Sequence, residues 1–569
     1  MLVALICNPR YSDQISSGCG KLIRMLVVGG GGCGKSRIIK KVLRPLCEHF
    51  FGKRACVVTA PSNRAARGVN GKTAHTAAKI GSGSLRMNEL RTNSKQQKAL
   101  ARVFVPSGAL LNDEFSMFTA PLYHALSLRA TYGRSDHHQL ELSEYTEASQ
   151  TFGGIPIVID FGDELQLPPV PETAGLLSPL EGKSREHAAG VDIFSRKEYV
   201  YRLTTAKRFK DLVLVSILQK MRQPGGTTLT ATEKKELMAT ELAVDDEDTL
   251  QTQLKNTELW YQASYSWSVV SLAQTIRSRA SAEAAKATLY MIQAEDHILD
   301  RPPTVRHEDA TQALLRHANM NDTGRMPGIG LIHVGMKVRL TVTIEPPFAV
   351  VDSTGVVMAI DLHAEDAQHA TDHGAVHLLK HFPAAVLVKL DVEDDGEDFE
   401  LLPPEPCELH ELAGPSRECQ HCKWFKNYII VKPQESRSFT VEVTTKAIAP
   451  NQHLTYKLKV KRWQIPLTVT SASTLHALQG TTAEPGMIFH WTFPRRLNKE
   501  LRWLAVYVAL SRVRALKELL SVGMDRTILE IIQGGPPEGL LTRFAALFSE
   551  KEEQTMQAIE KAMAELGWN

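Results

Sequence analysis

Ten residues, VVGGGGCGKS from Val27 to Ser36, constrain this chain more than any other stretch. Gly29, four residues, then Gly34, Lys35 and Ser36 have the spacing of a phosphate-binding loop. The residue types suit that task. Glycines let the backbone curl so that successive N–H groups point inward, a lysine reaches the outer phosphates, and a hydroxyl takes a place on Mg²⁺. The flanks agree. LIRMLVV, Leu22 to Val28, reads as a buried strand, and Ile38, Ile39, Val42, Leu43 and Leu46 recur at helical spacing. The loop thus joins a strand to a helix N-terminus, whose dipole favours phosphate. Gly29, Gly30, Gly31, Gly32, Cys33, Gly34, Lys35, Ser36 and Arg37 are the expected nucleotide-binding residues.

A chain of 569 residues predicts three or four domains. Its net charge is only +3, so nucleic-acid binding would need a local basic track rather than overall charge. No apolar run is long enough to span a bilayer, and MLVALIC is too short, and lacks the basic leader, for a secretory signal. Eight cysteines in this length make no disulfide scaffold, which predicts a reducing interior.

Further along, an apolar strand ends in adjacent carboxylates, Asp113 and Glu114, about eighty residues after the loop. Such a pair can hold hydrated Mg²⁺ with one carboxylate, beside Ser36, and polarise an attacking water with the other. IPIVIDF predicts a further buried strand, followed by Gly162, Asp163, Gln166 and the stiff pair Pro168-Pro169. A glutamine fixed at a strand end can sense a terminal phosphate. DLVLVSILQKMRQPG predicts a helix with Arg222 and Gln223 at its end, and a long helix is expected over Arg277 to Asp296. From about Gly335 the period shifts to two, which predicts short strands of a small antiparallel barrel. Asp391 to Glu411 holds ten carboxylates and no Lys or Arg, as an exposed acidic loop would. Cys407, His410, Cys419 and Cys422 have ligand types for Zn²⁺, the alternative being reduced thiols in a loop. Lys457, Lys459, Lys461 and Arg462, beside Trp463, read as a local basic strip. The tail, Glu550 to Asn569, reads as a charged helix.

Taken in order, GGGGCGKS, TAPSNRAA with GKTAH, NDEFSM, FGGIPIVIDFGDELQLPPV, MRQ, ASTLHALQGTT and YVALSRV resemble the motif series of superfamily 1B DNA helicases, in the PIF-type and RecD-like branch. The resemblance spans residues 25 to about 523. It implies an α/β fold of two RecA-like P-loop NTPase domains with parallel sheets, plus a small SH3-like β-barrel insertion, domain 2B. The expected divisions are 1–200 for domain 1A, 201–332 and 461–545 for domain 2A, 333–460 for domain 2B, and 546–569 for a C-terminal helix.

The resemblance also implies roles. Lys35 and Ser36 match the phosphate and Mg²⁺ residues, and Asp113 and Glu114 the metal and water-activating carboxylates. Gln166 matches the terminal-phosphate sensor, Arg222 and Arg512 two arginine fingers, and Gly480 a loop residue near the nucleotide. Thr59, Pro61 and Arg64 match one strand-binding motif, with His75 close by in sequence. Thr474, His476 and Gln479 match its second-domain counterpart. The implied activity is ATP-dependent 5′→3′ DNA unwinding with ATP and Mg²⁺. The implied partners are single-stranded DNA and single-strand/duplex junctions, with no membrane and a monomeric chain. A nuclear setting is expected, with mitochondrial or cytoplasmic ones as alternatives; repair, recombination and telomere maintenance would all use the same engine.

Three departures from the family pattern stand out: Glu164 where an aromatic or proline is usual, Asn112 in place of an aliphatic residue, and Cys33 in place of Thr. The stretch before the loop, with Gln14 as its one candidate for reading adenine, is short enough to expect a missing N-terminal part. Rival readings are a translocase that unwinds poorly and a non-enzymatic DNA-binding relic. The intact set of Lys35, Asp113, Glu114, Gln166, Arg222 and Arg512 argues against the relic.

Overall fold

The chain is described from a computed structural model that covers residues 22–80, 94–138, 148–243, 247–257, 260–302, 305–344, 349–367, 375–391, 428–446 and 453–565. The expected zinc ligands Cys407, His410, Cys419 and Cys422, nearly all of the acidic loop, and Gln14 lie outside the described residues. The chain divides into two units, residues 1–260 with 475–569, and residues 261–474. Among the described residues no helix is long and apolar enough to cross a membrane.

The first unit is organised on a six-stranded sheet. Its strands are β1 (Ile23–Gly29), β2 (Cys56–Ala60), β3 (Lys72–Thr73), β4 (Ala109–Asn112), β5 (Ile157–Gly162) and β6 (Tyr199–Leu203), in the spatial order β3-β2-β4-β5-β1-β6. Every pairing is parallel. A parallel sheet needs cover on both faces, and β1 shows how the sequence supplies it. Ile23, Met25 and Val27 join one core cluster with Leu111, Ile159 and Phe161, while Leu26 and Val28 join another with Phe115, Tyr123 and Phe194. The period-two alternation therefore feeds two cores rather than a core and solvent. The strands end on one edge, and the phosphate loop, the Asp113-Glu114 pair and the Asp163 turn all follow strand ends there. Open α/β sheets place ligands at that edge.

The helix after the loop is irregular. Lys35–Ile38 is α-helical, Ile39–Leu43 is a π-turn, and Arg44–Phe51 is α-helical again. Pro45 lacks the N–H that a regular α-turn would donate there, and the ladder widens ahead of it.

Three later helices of the unit bear on the site: α1 (Leu212–Met221), α2 (Lys499–Leu510) and α3 (Glu538–Glu565). Strands Met487–His490 and Leu519–Val522 pair in parallel. The tail helix begins well before residue 550, and it is more than a charged appendage. Phe544 and Phe548 are buried in the core of the first sheet, with Phe548 edge-on to Phe194 at 5.4 Å. Thr555 Oγ1 accepts the backbone N–H of Val200 at 3.0 Å, which ties α3 to β6.

In the second unit, Thr354–Asp361 runs antiparallel to Lys337–Leu340 and Ala385–Leu390 in a five-stranded sheet completed by Tyr428–Val431 and Leu467–Val469. Glu295–Asp300 and Phe439–Lys446 both pair with the long strand His453–Gln464. Ala472–Thr474 lies parallel to Tyr261–Ser264. Two expectations change here. The helix expected over 277–296 is instead Trp267–Ala284, followed by strands Leu289–Gln293 and Glu295–Asp300. Lys286, at φ 49°, breaks the helical backbone. The basic strip is likewise not a continuous exposed track. Strand alternation turns Arg462 inward, where it is fully buried and doubly bonded to Asp296 at 2.7 Å for each contact, while Lys461 is paired with Glu435 and Lys457 with Glu442.

Candidate nucleotide site

Two loop glycines take left-handed backbone, Gly32 at φ 80° and Gly34 at φ 87°. Gly34 stands at the N-cap with no side-chain cap, so the first helical N–H groups are left for an acceptor from outside. At Gly29 a Cβ would fall 2.9 Å from that of Leu203, which leaves no room for a side chain where β1 meets β6. The Lys35 ammonium donates to the carbonyls of Gly29 at 2.6 Å and Gly30 at 3.1 Å. Ser36 Oγ donates to Asp113 Oδ2 at 3.3 Å.

The two carboxylates after β4 differ. Asp113 is buried, and burial together with the adjacent Glu114 charge raises its carboxyl to about 7. Glu114 occupies left-handed backbone at φ 56°, a conformation that costs a non-glycine residue on the order of 1–3 kcal/mol. Its Oε2 is buried without a hydrogen-bond partner. Strain and an orphaned acceptor in one residue point to a functional position. Gln166 Oε1 is likewise buried and unpartnered.

These residues meet in one cavity of about 280 Å³. Its lining includes Gly34, Lys35, Ser36, Glu114, Gln166 and Gly480, and three cations that follow from other elements, Lys207, Arg208 and Arg512. The cations outnumber the carboxylate, as an anionic ligand requires. Arg512 directly follows the C-cap of α2. Its guanidinium donates to the carbonyls of Val508 and Thr481, both at 3.1 Å, and burial lowers its pKa to about 10. Gly480, at φ 81°, leaves only 3.3 Å between a Cβ and Glu114 Oε1.

Arg222 caps α1 and does not line the cavity. Its Nη1 donates to Asp163 Oδ1 at 2.8 Å and to the Tyr507 hydroxyl at 2.7 Å, and its Nη2 to Glu164 Oε1 at 2.9 Å. Tyr507 in turn donates to Asp163 Oδ2 at 3.0 Å. Burial alone would raise the Asp163 carboxyl, but the Arg222 guanidinium and Lys35 ammonium more than offset it and hold it below the usual range. Cys33 is half-buried, and burial raises its thiol.

Of the residues expected to touch nucleic acid, Pro61, Arg64 and His75 are at least partly accessible. The Arg64 guanidinium donates to the carbonyl of Ala477, so the two expected strand-binding motifs of this unit touch each other. Gln479 is buried and donates to the Leu167 carbonyl at 3.2 Å, and burial pushes His476 down to about 4. Thr474 lies in the second unit, at the end of its short strand, and is buried. Thr59 needs a correction. It has no exposed surface, and its hydroxyl donates to Asn112 Oδ1 at 2.5 Å. It supports the turn from below instead of facing a ligand.

That bond opens a network hidden from motif reading. Asn112 Nδ2 donates to Asp160 Oδ1 at 2.7 Å, and Asp160 Oδ2 accepts from Tyr123 and Lys197, both at 2.5 Å. The unusual Asn112 is therefore a buried crosslink between β2, β4 and β5. Lys207, Arg208 and Tyr507 carry no expectation from the sequence, and Glu164 stands out there only as a departure from the family pattern. The available signals were the KRF run just past β6, the YVALSR helix read only for its arginines, and a second carboxylate beside Asp163.

Residues 12–188 match the PIF1-like helicase family model. The ATP-dependent DNA helicase PIF1 of Saccharomyces cerevisiae is 27% identical over 254 residues, 45% of this chain and 27% of that protein. Its human counterpart is 28% identical over 224 residues, 38% of this chain and 30% of that protein. The matched segments thus span less than a third of these relatives' lengths. Bacteroides Pif1 bound to single-stranded DNA superposes with a TM-score of 0.53 at 18% identity, over 95% of this chain and 97% of the other. Pif1 from Candida albicans gives 0.51 at 17% identity, over 94% and 97%. At these identities the structural likeness is one of fold, two RecA-like domains of α/β type. Residues 12–188 are thus similar to PIF1-like helicases, and the described fold is similar to that of the two Pif1 structures.

Proposed function

We propose that this chain is an ATP-driven motor on single-stranded DNA that separates duplex in the 5′→3′ direction. One observation carries the reading: the phosphate loop, the Asp113-Glu114 pair, Gln166 and Arg512 line or border a single cationic cavity, with Arg222 against the loop wall. The relatives named above are called ATP-dependent DNA helicases, and another Bacteroides Pif1 structure holds ADP-AlF3 with single-stranded DNA. Both facts support the reading. The direction rests on the family resemblance alone.

In this reading Lys35 exchanges its loop carbonyls for phosphate oxygens, and the free N–H groups at Gly34 to Arg37 bind the same phosphates. Ser36 and Asp113 would hold Mg²⁺. The donor set fits, since a hydroxyl and a carboxylate already adjoin, and hard oxygen ligands suit that ion. When bound, magnesium would neutralise phosphate charge. Glu114 polarises the attacking water, and its unpartnered oxygen is the acceptor available for that proton. Gln166 orients the terminal phosphate. Arg512 and Arg222 stabilise the charge that develops on the transferring group, a contribution of about 10³–10⁵ in rate per finger.

We further assign Pro61, Arg64, His75, His476 and Gln479 to the DNA side. Residues 1–200 are domain 1A, with domain 2A drawn from both later segments and the β-rich stretch as insertion 2B. Closure on ATP and release after hydrolysis then alternate the grip on the strand.

The test is ATP turnover with and without single-stranded DNA, in the wild type and in Lys35→Ala. Turnover stimulated by DNA and lost by at least about 10²-fold in the variant is expected. Wild-type protein with no stimulated turnover overturns the motor. Forked duplexes with a 5′ or a 3′ tail then test direction, and strand release from the 3′-tailed fork alone reverses the polarity.

A further inference from the structure

Arg222 is held by more negative charge than a single-carboxylate anchor would supply. Asp163 takes Nη1, and Glu164 takes Nη2, so both ends of the guanidinium are bound to carboxylates. Tyr507 closes the ring by bonding both Arg222 and Asp163. The guanidinium lies beside the phosphate loop, where a Cβ on Gly30 would come within 3.4 Å of Nη1. It is therefore near the phosphates but engaged elsewhere. To act on a transferring phosphoryl group it must release at least one carboxylate.

Glu164 is the carboxylate that sets this apart from the family pattern, and a second cation shares it. Arg202 Nη1 donates to Glu164 Oε1 at 2.7 Å, the same oxygen that receives Arg222. Glu164 Oε2 is buried with no partner, so the two guanidiniums share one oxygen. Arg202 is fixed from its other side by α3. Its Nε and Nη2 donate to the two oxygens of Glu552 at 2.7 and 3.2 Å, and its guanidinium lies 5.6 Å from the Phe544 ring. Bidentate pairing of this kind holds an arginine in one geometry.

We propose that Glu164 is a positioning residue that restrains Arg222 away from the phosphates, and that Arg202, anchored by Glu552 of the C-terminal helix, weakens the restraint by sharing the same oxygen. The proposal rests on the assignment of Arg222 as a finger. Its physical content is a prediction of opposite signs. Removing the Glu164 charge frees Nη2 for phosphate. Removing Arg202 leaves Glu164 with one guanidinium and tightens its hold. A residue that only supported the fold would move both variants in the same direction.

The experiment is a double-substitution cycle with Glu164→Gln, Arg202→Gln and the pair, in the full chain with magnesium. Two quantities are read: the dissociation constant for N-methylanthraniloyl-ATP, and KM against kcat for ATP without DNA. Thermal midpoints show whether each variant is folded. Glu164→Gln is expected to tighten nucleotide binding and lower KM by about three- to tenfold, and Arg202→Gln to weaken binding by a similar factor. In the Glu164→Gln background, Arg202→Gln should change neither. Shifts of the same sign, additive shifts, or an unchanged Glu164→Gln protein overturn the restraint. If the wild type binds nucleotide but does not hydrolyse it, the motor reading fails while the binding cycle still decides the restraint. A wild type that binds no nucleotide overturns both.

Discussion

Two carboxylate networks lie three residues apart at the end of β5, and they have opposite characters. At Asp160 the chain builds a closed cluster. Asp160 and Lys197 have essentially no exposed surface, and Asn112, Tyr123 and Lys197 account for both carboxylate oxygens. At Asp163 and Glu164 the partners are arginines whose side chains keep 23% and 30% of their exposure, and one carboxylate oxygen has no partner. Both networks use buried acids and cations. The difference is satisfaction. A fully paired buried cluster fixes strands relative to one another, because any change leaves a charge uncompensated. A partly paired cluster beside a cavity can exchange partners at lower cost. The contrast separates a closed support from the network proposed above as part of the site, in a stretch where the sequence offers only acidic residues after an apolar run.

Four measurements sharpen or break that contrast. The largest effect is expected for Arg222→Lys, which keeps the charge but loses the two-pronged fork. It should lower kcat for ATP by about 10³-fold, or about 4 kcal/mol, with a smaller change in stability. Equal losses in kcat and in folding free energy would place Arg222 with the structural cluster. Next comes Asp160→Asn, which leaves Lys197 buried without a counter-ion. Urea unfolding should show a loss of about 3 kcal/mol, and the folded fraction should keep its turnover. A loss of turnover without loss of stability would merge the two networks.

The third effect concerns magnesium and pH. Asp113 is raised from the ordinary 3.8 to about 7. Without metal, the folded chain keeps that proton where the unfolded chain has lost it. The associated stability is present at acid pH and disappears as pH rises through about 7. Magnesium needs the ionised carboxylate, so its affinity should rise by about tenfold per pH unit up to about 7 and then level off. Thermal shift titrations with magnesium at about pH 6 and about pH 8 check this. An equal response at both would remove Asp113 from the metal site. The smallest effect is Thr555→Val, which leaves the buried N–H of Val200 unbonded. It should cost about 1–2 kcal/mol in urea unfolding and leave nucleotide affinity unchanged. A change in affinity would show that α3 acts on the site by a route other than Arg202.

Much of the site was legible because its chemistry is local in sequence. The loop needs glycines, a lysine and a hydroxyl in consecutive positions, and the carboxylate pair must follow a strand directly. Such patterns survive in one dimension. Residues whose role depends on a partner far along the chain were not legible. Thr59 lies in a matched motif, yet its hydroxyl is taken by Asn112, fifty-three residues away. Arg462 sits in a run of cations, yet alternation on its strand sends it to Asp296. The helix expected over 277–296 failed for a different reason. Leu289 to Ile292 is apolar and aromatic, and a short apolar run fits helix or strand equally until its neighbours are known.

What the sequence determined by itself was the order of the motifs. A phosphate loop, a carboxylate pair and two arginines in this order carry the proposal of a nucleotide-hydrolysing fold, because each element's spacing is set by the backbone that carries it. Tertiary structure alone decided which charges are available. Lys207 and Arg208 become part of the cavity because β6 ends beside the phosphate loop. Arg222 stands at the loop wall, outside the cavity, because Asp163, Glu164 and Tyr507 converge on it from distant segments. Availability depends on burial and on the number of partners, and both are properties of three-dimensional packing that no linear spacing encodes.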